Sequence, residues 1–257
     1  MNKTDWNKVK FRASSWGNLL SDPQSKEAKL RGDLGVTCQK ELIKIYNLVK
    51  YGRKKDLLTK HMEKGILAEP DSIELYSRVE ERKFHKNETQ LSNEWFSGHP
   101  DISDTVDIYA AYEVDDIKSS WELDTFTPRL IEETDKSYIA QLNVYFSLTG
   151  AQTGAIVYCL VDCPHSVLMD EKRRLLYSMD VVSEESPEYL RAAAELERNL
   201  TFGDIDYRER VIKKPVTRDD ELIEKMKSKV PIFRQWLEDF EKKHLNQYPK
   251  HESRIIV

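Results

Sequence analysis

The sequence predicts an α/β fold in which helices flank a mixed central β-sheet. Apolar residues recur with helical spacing through LGVTCQKELIKIYNLV, which indicates an amphipathic helix. Several short β-forming runs follow between about residues 82 and 120. A helical segment at about 136–149 then precedes the apolar run GAIVYCLV, and strands that alternate with helices are typical of an α/β sheet.

In order along the chain, residues 12–22 are expected to form a short helix that begins with Ser14 or Ser15 as its cap. Residues 35–51 and 57–80 are expected to form two longer helices. Strands are then expected at 82–87, 91–97, 105–112, 113–120 and 154–161, with a helix at 136–149. The sequence contains neither an internal repeat nor a low-complexity linker. Its 257 residues suffice for one large α/β domain, which we favour, or at most two small ones.

The chain changes character after Asp162. MDEKRRLLYSMDVV is expected to form a strand or edge hairpin, SPEYLRAAAELERNL a helix with Pro187 in its first turn, and YRERVIKKPV a strand. Thr217-x-x-Asp220 resembles a capping signature for a long amphipathic helix that Pro231 should bend or split. Trp236 and Phe240 are expected in the core or a subunit contact rather than in a base-stacking platform. We expect a single domain over 1–257, with a core at about 10–162 and added strand and helices at about 163–250.

The composition suits a soluble protein of 257 residues and 30.1 kDa, with 39% hydrophobic and 33% charged residues. No apolar run reaches the roughly 18 residues of a membrane span, and MNKTDWNKVKF lacks the apolar stretch of a signal peptide. The three cysteines, Cys38, Cys159 and Cys163, cannot all pair. These features predict a cytoplasmic protein that does not bind membranes.

The net charge of −5 conceals an uneven distribution. Residues 1–64 carry 15 Lys and Arg against 7 Asp and Glu, and the remainder carries 25 against 38. A basic N-terminal third could line a groove for phosphates. Lys50, Arg53, Lys54 and Lys55 are candidate DNA contacts, although the same lysines could simply keep a helix surface solvated.

The segment GHPDISDTVDIYAAYEVDDIKSSW, residues 98–121, is expected to form a β-hairpin. Because side chains alternate along a strand, Asp116 and Lys118 should lie on one face while Ile117 turns into the core. Asp101, after His99-Pro100, could join Asp116 from the neighbouring strand. The alternative is a solvated strand face with a cross-strand ion pair.

Two carboxylates that converge from adjacent strands suit a hard divalent cation such as Mg²⁺, which prefers oxygen ligands and keeps several waters. A lysine beside such an ion could orient the attacking water or offset charge that develops on a phosphate. The sequence therefore indicates phosphodiester chemistry around Asp101, Asp116 and Lys118.

Three further residues are candidates for the same site. Gln141 and Tyr145 lie four apart and so share one helix face, although Tyr145 could equally be an amphipathic core residue. Glu69 precedes Pro70 in a helical segment and could equally be an ordinary surface glutamate.

Together these residues resemble the PD-(D/E)XK nuclease superfamily, and within it the phage-recombination exonucleases of the lambda-exonuclease and YqaJ-like type. The resemblance covers about residues 10–160 and lies in the order and spacing of four pieces. They are RASSWGNLL, Gly65 and Glu69 in KGILAEP, Pro100-Asp101 with Asp116-x-Lys118, and Gln141-x-x-x-Tyr145.

The resemblance implies a restriction-endonuclease-like core and a set of residue roles. Asp101, Asp116 and the Ile117 carbonyl would bind metal, with Glu69 as an additional acidic group and Lys118 as the catalytic lysine. Gln141 and Tyr145 would be the pair beside the active centre and the DNA. Relatives more often carry Glu where this chain has Asp116, a difference that concerns metal geometry.

The resemblance also implies that the N-terminal region holds a 5′-phosphate end, which makes Arg12 and Ser15 candidate DNA-binding residues. Ser15 could equally be an ordinary helix cap. Relatives with an iron–sulfur cluster use four cysteines, and with three here we expect none.

The activity implied is 5′-to-3′ exonuclease action on double-stranded DNA in phage-type recombination, with Mg²⁺ or Mn²⁺ as the ion. A single-strand annealing protein would be the partner, a ring-like trimer the assembly, and a bacterial or phage-infected cell the setting. A structure- or sequence-selective endonuclease could use the same core. A non-catalytic DNA-binding recombination module is the third alternative, against which the joint presence of Asp101, Asp116 and Lys118 argues.

Overall fold

The computed structural model of the protein describes residues 4–53, 60–179 and 183–245. Its strands are β1 Phe11–Arg12, β2 His85–Lys86, β3 Leu91–Ser92, β4 Phe96–Gly98, β5 Ile102–Ser103, β6 Val114–Ser120, β7 Thr153–Leu160 and β8 Val211–Thr217. Its α-helices are α1 Trp16–Leu19, α2 Lys26–Leu30, α3 Val36–Tyr51, α4 Lys60–Val79, α5 Leu123–Phe126, α6 Lys136–Thr149, α7 His165–Ser178, α8 Pro187–Leu200 and α9 Asp220–Leu245.

The central sheet has the strand order β2-β5-β6-β7-β8. β6 and β7 are parallel, and the other neighbouring strands of this sheet are antiparallel. A smaller sheet of β1, β4 and β3 lies beside it. The mixed α/β architecture expected from the sequence is therefore confirmed.

Two hydrophobic clusters cover the two faces of the central sheet. On one face, Phe146 of α6 belongs to the same cluster as Ile156 and Tyr158 of β7. On the other face, Tyr76 of α4 belongs to a cluster with Val157 and Ile117. The alternation of strand side chains thus places neighbouring residues of β6 under different helices.

The helices α3 and α6 lie where the sequence predicts them, and Gly150 ends α6 in a left-handed conformation with φ 91°. The predicted strand at 105–112 is wrong. Asp107 accepts a hydrogen bond from the Tyr109 N–H at 3.0 Å and starts a 3₁₀ turn at Ile108–Ala110. A side chain that bonds to its own backbone in this way competes with strand pairing.

The predicted strands at 82–87 and 91–97 are shorter than expected, whereas β6 and β7 lie within one residue of the predicted 113–120 and 154–161. The run 91–97 divides into β3 and β4 because Asn93 Oδ1 accepts hydrogen bonds from the N–H groups of Trp95 and Phe96, at 2.9 and 2.8 Å. Of the strand predicted at 82–87, only β2 at His85–Lys86 forms. Polar side chains that bond to nearby backbone groups favour turns over ladders.

The strand or hairpin expected in MDEKRRLLYSMDVV is also wrong, since α7 spans His165–Ser178. Helical ion pairs Asp170–Arg173 and Glu171–Arg174 line its exposed side. Residues 180–182 of that segment lie outside the described residues. Good helix formers at this spacing outweigh the apolar run at the end of the segment.

The C-terminal elements agree in part with those predicted from the sequence. Pro187 is in the first turn of α8 as predicted, and α9 runs unbroken past Pro231, so the helix is not split. The predicted Thr217–Asp220 cap is wrong, because Asp219 Oδ1 accepts the Leu222 N–H at 2.9 Å instead. Among the residues that the structure describes, no helix is both long and apolar enough to cross a bilayer.

Candidate functional site

The D-x-K tripeptide lies in the middle of β6, and its side chains alternate as predicted. Ile117 belongs to the cluster under α4. Asp116 is 1% exposed and its Oδ2 forms an ion pair with Lys118 Nζ. One carboxylate and one ammonium therefore stand side by side on the α6 face of the sheet.

Asp101 reaches the same place from the start of β5. Its Oδ2 accepts a hydrogen bond from the Ile117 N–H at 2.8 Å, and the antiparallel pairing of Ile102 with Asp115 sets this register. The hairpin hypothesis therefore holds for the ends of the segment, which bring Asp101 beside Asp116-Ile117-Lys118, although the intervening connection is irregular.

Asn87 is a positioning residue that the sequence did not reveal. Its N–H donates to the Asp101 carbonyl at 2.9 Å, and its Nδ2 donates to the Pro100 carbonyl at 3.0 Å. The side chain is buried. Because it holds two consecutive carbonyls, Asn87 fixes the backbone that carries Asp101; no local pattern in the sequence links these positions.

The charged groups of the site lie close together and are largely shielded from water. Burial raises the pKa of Asp101, the Asp116 carboxylate raises it further, and Lys118 and the Ile117 N–H oppose the shift. The pKa of Lys118 is raised, since the Asp116 and Asp101 carboxylates outweigh the lowering by burial. A charged Asp101 is thus costly unless a cation lies close to it.

The predicted pair on α6 is also in place. Gln141 Nε2 donates to Asp116 Oδ1 at 2.7 Å and to the Tyr145 hydroxyl at 2.8 Å. A Cβ at Gly98 would lie 2.8 Å from Tyr145 Cε1, so β4 needs a glycine where the tyrosine ring crosses it. Burial first, and then the charges of Asp116 and Asp101, raise the pKa of Tyr145.

Glu69 lines the same cavity as these residues. Its Oε1 pairs with Lys86 Nζ at 3.0 Å, and its charge also raises the pKa of Asp101. Glu69 is therefore an acidic neighbour of Asp101, and a lysine balances its charge.

The cavity above these groups has a volume of about 870 Å³. It is lined by carboxylates at its centre and by cationic and aromatic side chains around them, which include Arg12, His99, Arg129, Tyr138 and Tyr158. Such a mixture of cations and ring faces suits a nucleotide chain.

Two tyrosines flank Lys118, and both were absent from the sequence-based candidates. Lys118 Nζ lies 4.9 Å from the centre of the Tyr138 ring, and Tyr158 pairs with Lys118 across β6 and β7. Tyr138 precedes Gln141 by three residues, so the helical repeat that identified Gln141 could have identified it too.

The structure separates the two N-terminal candidates. Arg12 and Ser14 line the cavity, whereas Ser15 is buried and is not among the lining residues. Ser15 occupies the position before α1, but its side chain makes no capping hydrogen bond, so the predicted serine cap is wrong.

The predicted basic group is only partly available for DNA. Lys50 Nζ is paired with Glu241 and its side chain is 13% exposed, which contradicts a role in DNA contact. Arg53 is exposed, and Lys54 and Lys55 lie outside the described residues.

The donor set fits a cation that keeps much of its hydration. Over the described ranges no group of three or more His, Cys, Asp or Glu side chains forms a metal site by itself. Asp101 and Asp116 nevertheless bring a half-buried and a buried carboxylate together, and the pKa of Asp101 is raised. Oxygen-only ligands with room for waters suit Mg²⁺.

Comparison of the sequence with protein-family models gives no match, and comparison with curated proteins gives no significant relative. The structure is similar to a phage-related exonuclease from Haemophilus somnus, with a TM-score of 0.69, 21% sequence identity, and coverage of 91% of this chain and 96% of that one. It is also similar to the alkaline exonuclease LHK-Exo from Laribacter hongkongensis, with a TM-score of 0.57, 14% identity, and coverage of 94% and 95%. LHK-Exo in complex with dAMP matches with a TM-score of 0.56. The chain thus has the mixed α/β fold of phage-related and alkaline exonucleases.

Proposed function

We propose that this protein is a metal-dependent deoxyribonuclease that hydrolyses phosphodiester bonds. The observation that carries the proposal is the convergence of Asp101, Asp116 and Lys118 in one cavity. The shared fold with two solved exonucleases supports it, as does the dAMP that one of them binds. Buried, mutually perturbed ionisable groups in a cleft are typical of catalytic centres.

Asp101, Asp116 and the Ile117 carbonyl would hold the ion, which is Mg²⁺ or Mn²⁺ in this proposal. When bound, a divalent ion lowers the pKa of water and stabilises negative charge on a phosphate. Lys118, charged because its pKa is raised, would neutralise charge on the scissile phosphate. Gln141 would keep Asp116 oriented through its hydrogen bond.

More specifically, we propose an exonuclease that degrades double-stranded DNA from a 5′ end. The cavity supports action at a strand end because its volume of about 870 Å³ suits a few nucleotides of one strand. Arg12 at its edge would bind the terminal phosphate.

The test is a time course on linear duplex and on covalently closed circular duplex, each with and without Mg²⁺. We expect loss of linear DNA only with the ion and an intact circle throughout. Nicking of the circle would favour an endonuclease, and binding without any cleavage would favour a non-catalytic DNA-binding module.

The proposal includes an architecture and a setting. We propose one domain, since a single hydrophobic cluster joins Trp6 and Phe11 to Phe233 and Leu237 of α9. The resemblance to phage-recombination exonucleases further implies a ring-like trimer, a single-strand annealing partner and a bacterial or phage-infected cytoplasm. Sedimentation velocity and co-purification with the annealing protein test the first two.

A further inference from the structure

Two apolar side chains project from a turn beside the catalytic cavity. Ile131 is 90% exposed and its neighbour Leu130 is 60% exposed. Scattered exposed apolar side chains are ordinary, but this pair directly follows Arg129, which lines the cavity. The proposed chemistry of metal, lysine and carboxylates makes no use of these two residues.

The turn lies at the edge of the cavity. Arg129 lines the cavity, and its guanidinium lies 5.3 Å from the centre of the Tyr158 ring. Tyr158 in turn pairs with Lys118. Because consecutive Cα atoms are about 3.8 Å apart, Ile131 lies within about 8 Å of Arg129 along the chain.

The backbone of this turn is held in place. Lys214 Nζ of β8 donates to the carbonyls of Glu132 and Leu130, at 3.1 and 3.5 Å. The N–H groups of Ile131 and Glu132 both donate to the Pro128 carbonyl, at 3.2 and 3.1 Å. The Glu132 carboxylate pairs with Arg129. With its carbonyls and N–H groups bonded behind it, the turn presents Leu130 and Ile131 outward on a fixed support.

We propose that Leu130 and Ile131 form a nucleobase contact, which packs against the face of a base next to the phosphate held in the cavity. The inference deepens the proposed nuclease function and rests on it. DNA is the occupant because it is the proposed substrate, and the cations Arg12, Lys118 and Arg129 line the cavity together with the four carboxylates that a bound divalent ion would offset. Leucine and isoleucine pack against unstacked base faces in other DNA-binding proteins.

The test uses duplexes whose terminal nucleotides are either intact or abasic, so that the phosphates remain and only the bases are removed. Binding is measured by fluorescence anisotropy in chelator, and degradation is measured with Mg²⁺. We expect the wild-type protein to bind the intact end about fivefold to tenfold better than the abasic end. Ile131→Ser should bind both ends with the affinity that wild type has for the abasic one.

The matched control is Leu30→Ser, since Leu30 is 89% exposed but lies on α2, no residue of which lines the cavity, whereas Ile131 lies two residues from the lining residue Arg129. It should keep the full preference for the intact end. Equal wild-type affinity for both ends, or an unchanged preference in Ile131→Ser, overturns the inference. A change of sedimentation coefficient in Ile131→Ser with an unchanged preference also overturns it, in favour of a contact between copies of this chain.

The two proposals can fail separately. Absence of cleavage in wild type together with a preference for intact ends in binding would refute the nuclease and keep the base contact. Cleavage by wild type together with equal affinity for intact and abasic ends would do the reverse.

Discussion

Gln141 holds Asp116 by a single hydrogen bond, from Nε2 to Oδ1 at 2.7 Å. The same amide donates to Tyr145 at 2.8 Å, so both of its hydrogens are engaged and the orientation of the carboxamide is determined. Asp116 is in this way held by a side chain from α6 on one oxygen and by Lys118 on the other.

We therefore expect Gln141→Met to lower kcat by about 10- to 100-fold, because Asp116 would lose its orienting donor. Gln141→Glu should lower it further, since the added carboxylate would face Asp116. Single-turnover cleavage of linear duplex measures both. The control is Gln235→Met at an exposed position of α9, and a Gln141→Met variant as active as this control would show that Asp116 needs no such support.

Asp101→Asn and Asp116→Asn should each abolish cleavage and leave the fold intact, because each removes a charge while keeping the shape of the side chain. DNA binding should persist or tighten, as repulsion of the phosphates falls. Gel-based cleavage and anisotropy measure the two effects. Cleavage by either variant at a near wild-type rate with Mg²⁺ would refute the metal assignment.

Asp101→Asn should also stabilise the metal-free protein. Burial raises the pKa of Asp101 in the folded state, so its carboxylate form opposes folding at neutral pH. We expect the free energy of unfolding in chelator at pH 7 to rise by about 1–3 kcal/mol, as measured by urea denaturation. The asparagine can still accept the Ile117 N–H.

Much of the site could be predicted from the sequence because it depends on short-range periodicity. Alternation along β6 places Asp116 beside Lys118, and the spacing of four on α6 places Gln141 beside Tyr145. These relations hold even where the neighbouring elements are predicted wrongly. The wrong strand at 105–112 did not disturb them, since β5 and β6 still pair at Ile102 and Asp115.

The rest depended on contacts between distant parts of the chain. Asn87 acts on Asp101 across 14 positions, and Lys214 supports Leu130 across 84. No local pattern encodes such contacts. The pairing of Lys50 with Glu241 is another such long-range contact. In the sequence Lys50 looks available for DNA, but in the structure a residue of α9 neutralises its charge.

Lys118→Ala should reduce turnover by about 100- to 1000-fold while changing DNA affinity little, because its proposed role is in the transition state. Lys118→Arg should not restore turnover, since Asp116 and Tyr138 enclose the ammonium. Separate measurements of kcat and Kd check this, with Lys172→Ala on α7 as the control. Equal losses in both constants would make Lys118 a phosphate-positioning residue instead.

Tyr76→Phe should destabilise the protein by about 1–3 kcal/mol. The Tyr76 hydroxyl donates to Asp115 Oδ2 at 3.2 Å, and both residues are fully buried on the α4 side of the sheet. The variant would leave a buried acceptor without this donor. Urea denaturation measures the change against Tyr177→Phe, whose tyrosine is 77% exposed, and equal stabilities of the two variants would contradict the prediction.

The last prediction concerns the end of the DNA. A terminal phosphate monoester carries more negative charge than an internal diester, so a guanidinium at the cavity can distinguish the two. Arg12 lines the cavity and lies close enough to lower the pKa of Tyr145. We therefore expect a 5′-phosphorylated linear duplex to be degraded faster than a 5′-hydroxyl duplex by about tenfold or more.

Arg12→Ala should erase this preference by slowing degradation of the phosphorylated duplex more than that of the hydroxyl duplex. The two neighbouring serines provide an internal comparison. Ser14 lines the cavity, so Ser14→Ala should weaken the preference if its hydroxyl binds the phosphate. Ser15→Ala should not, because Ser15 is buried and not among the lining residues. Equal wild-type rates on both substrates would remove the ground for a terminal-phosphate site at Arg12, and loss of the preference in Ser15→Ala alone would move that site to the start of α1.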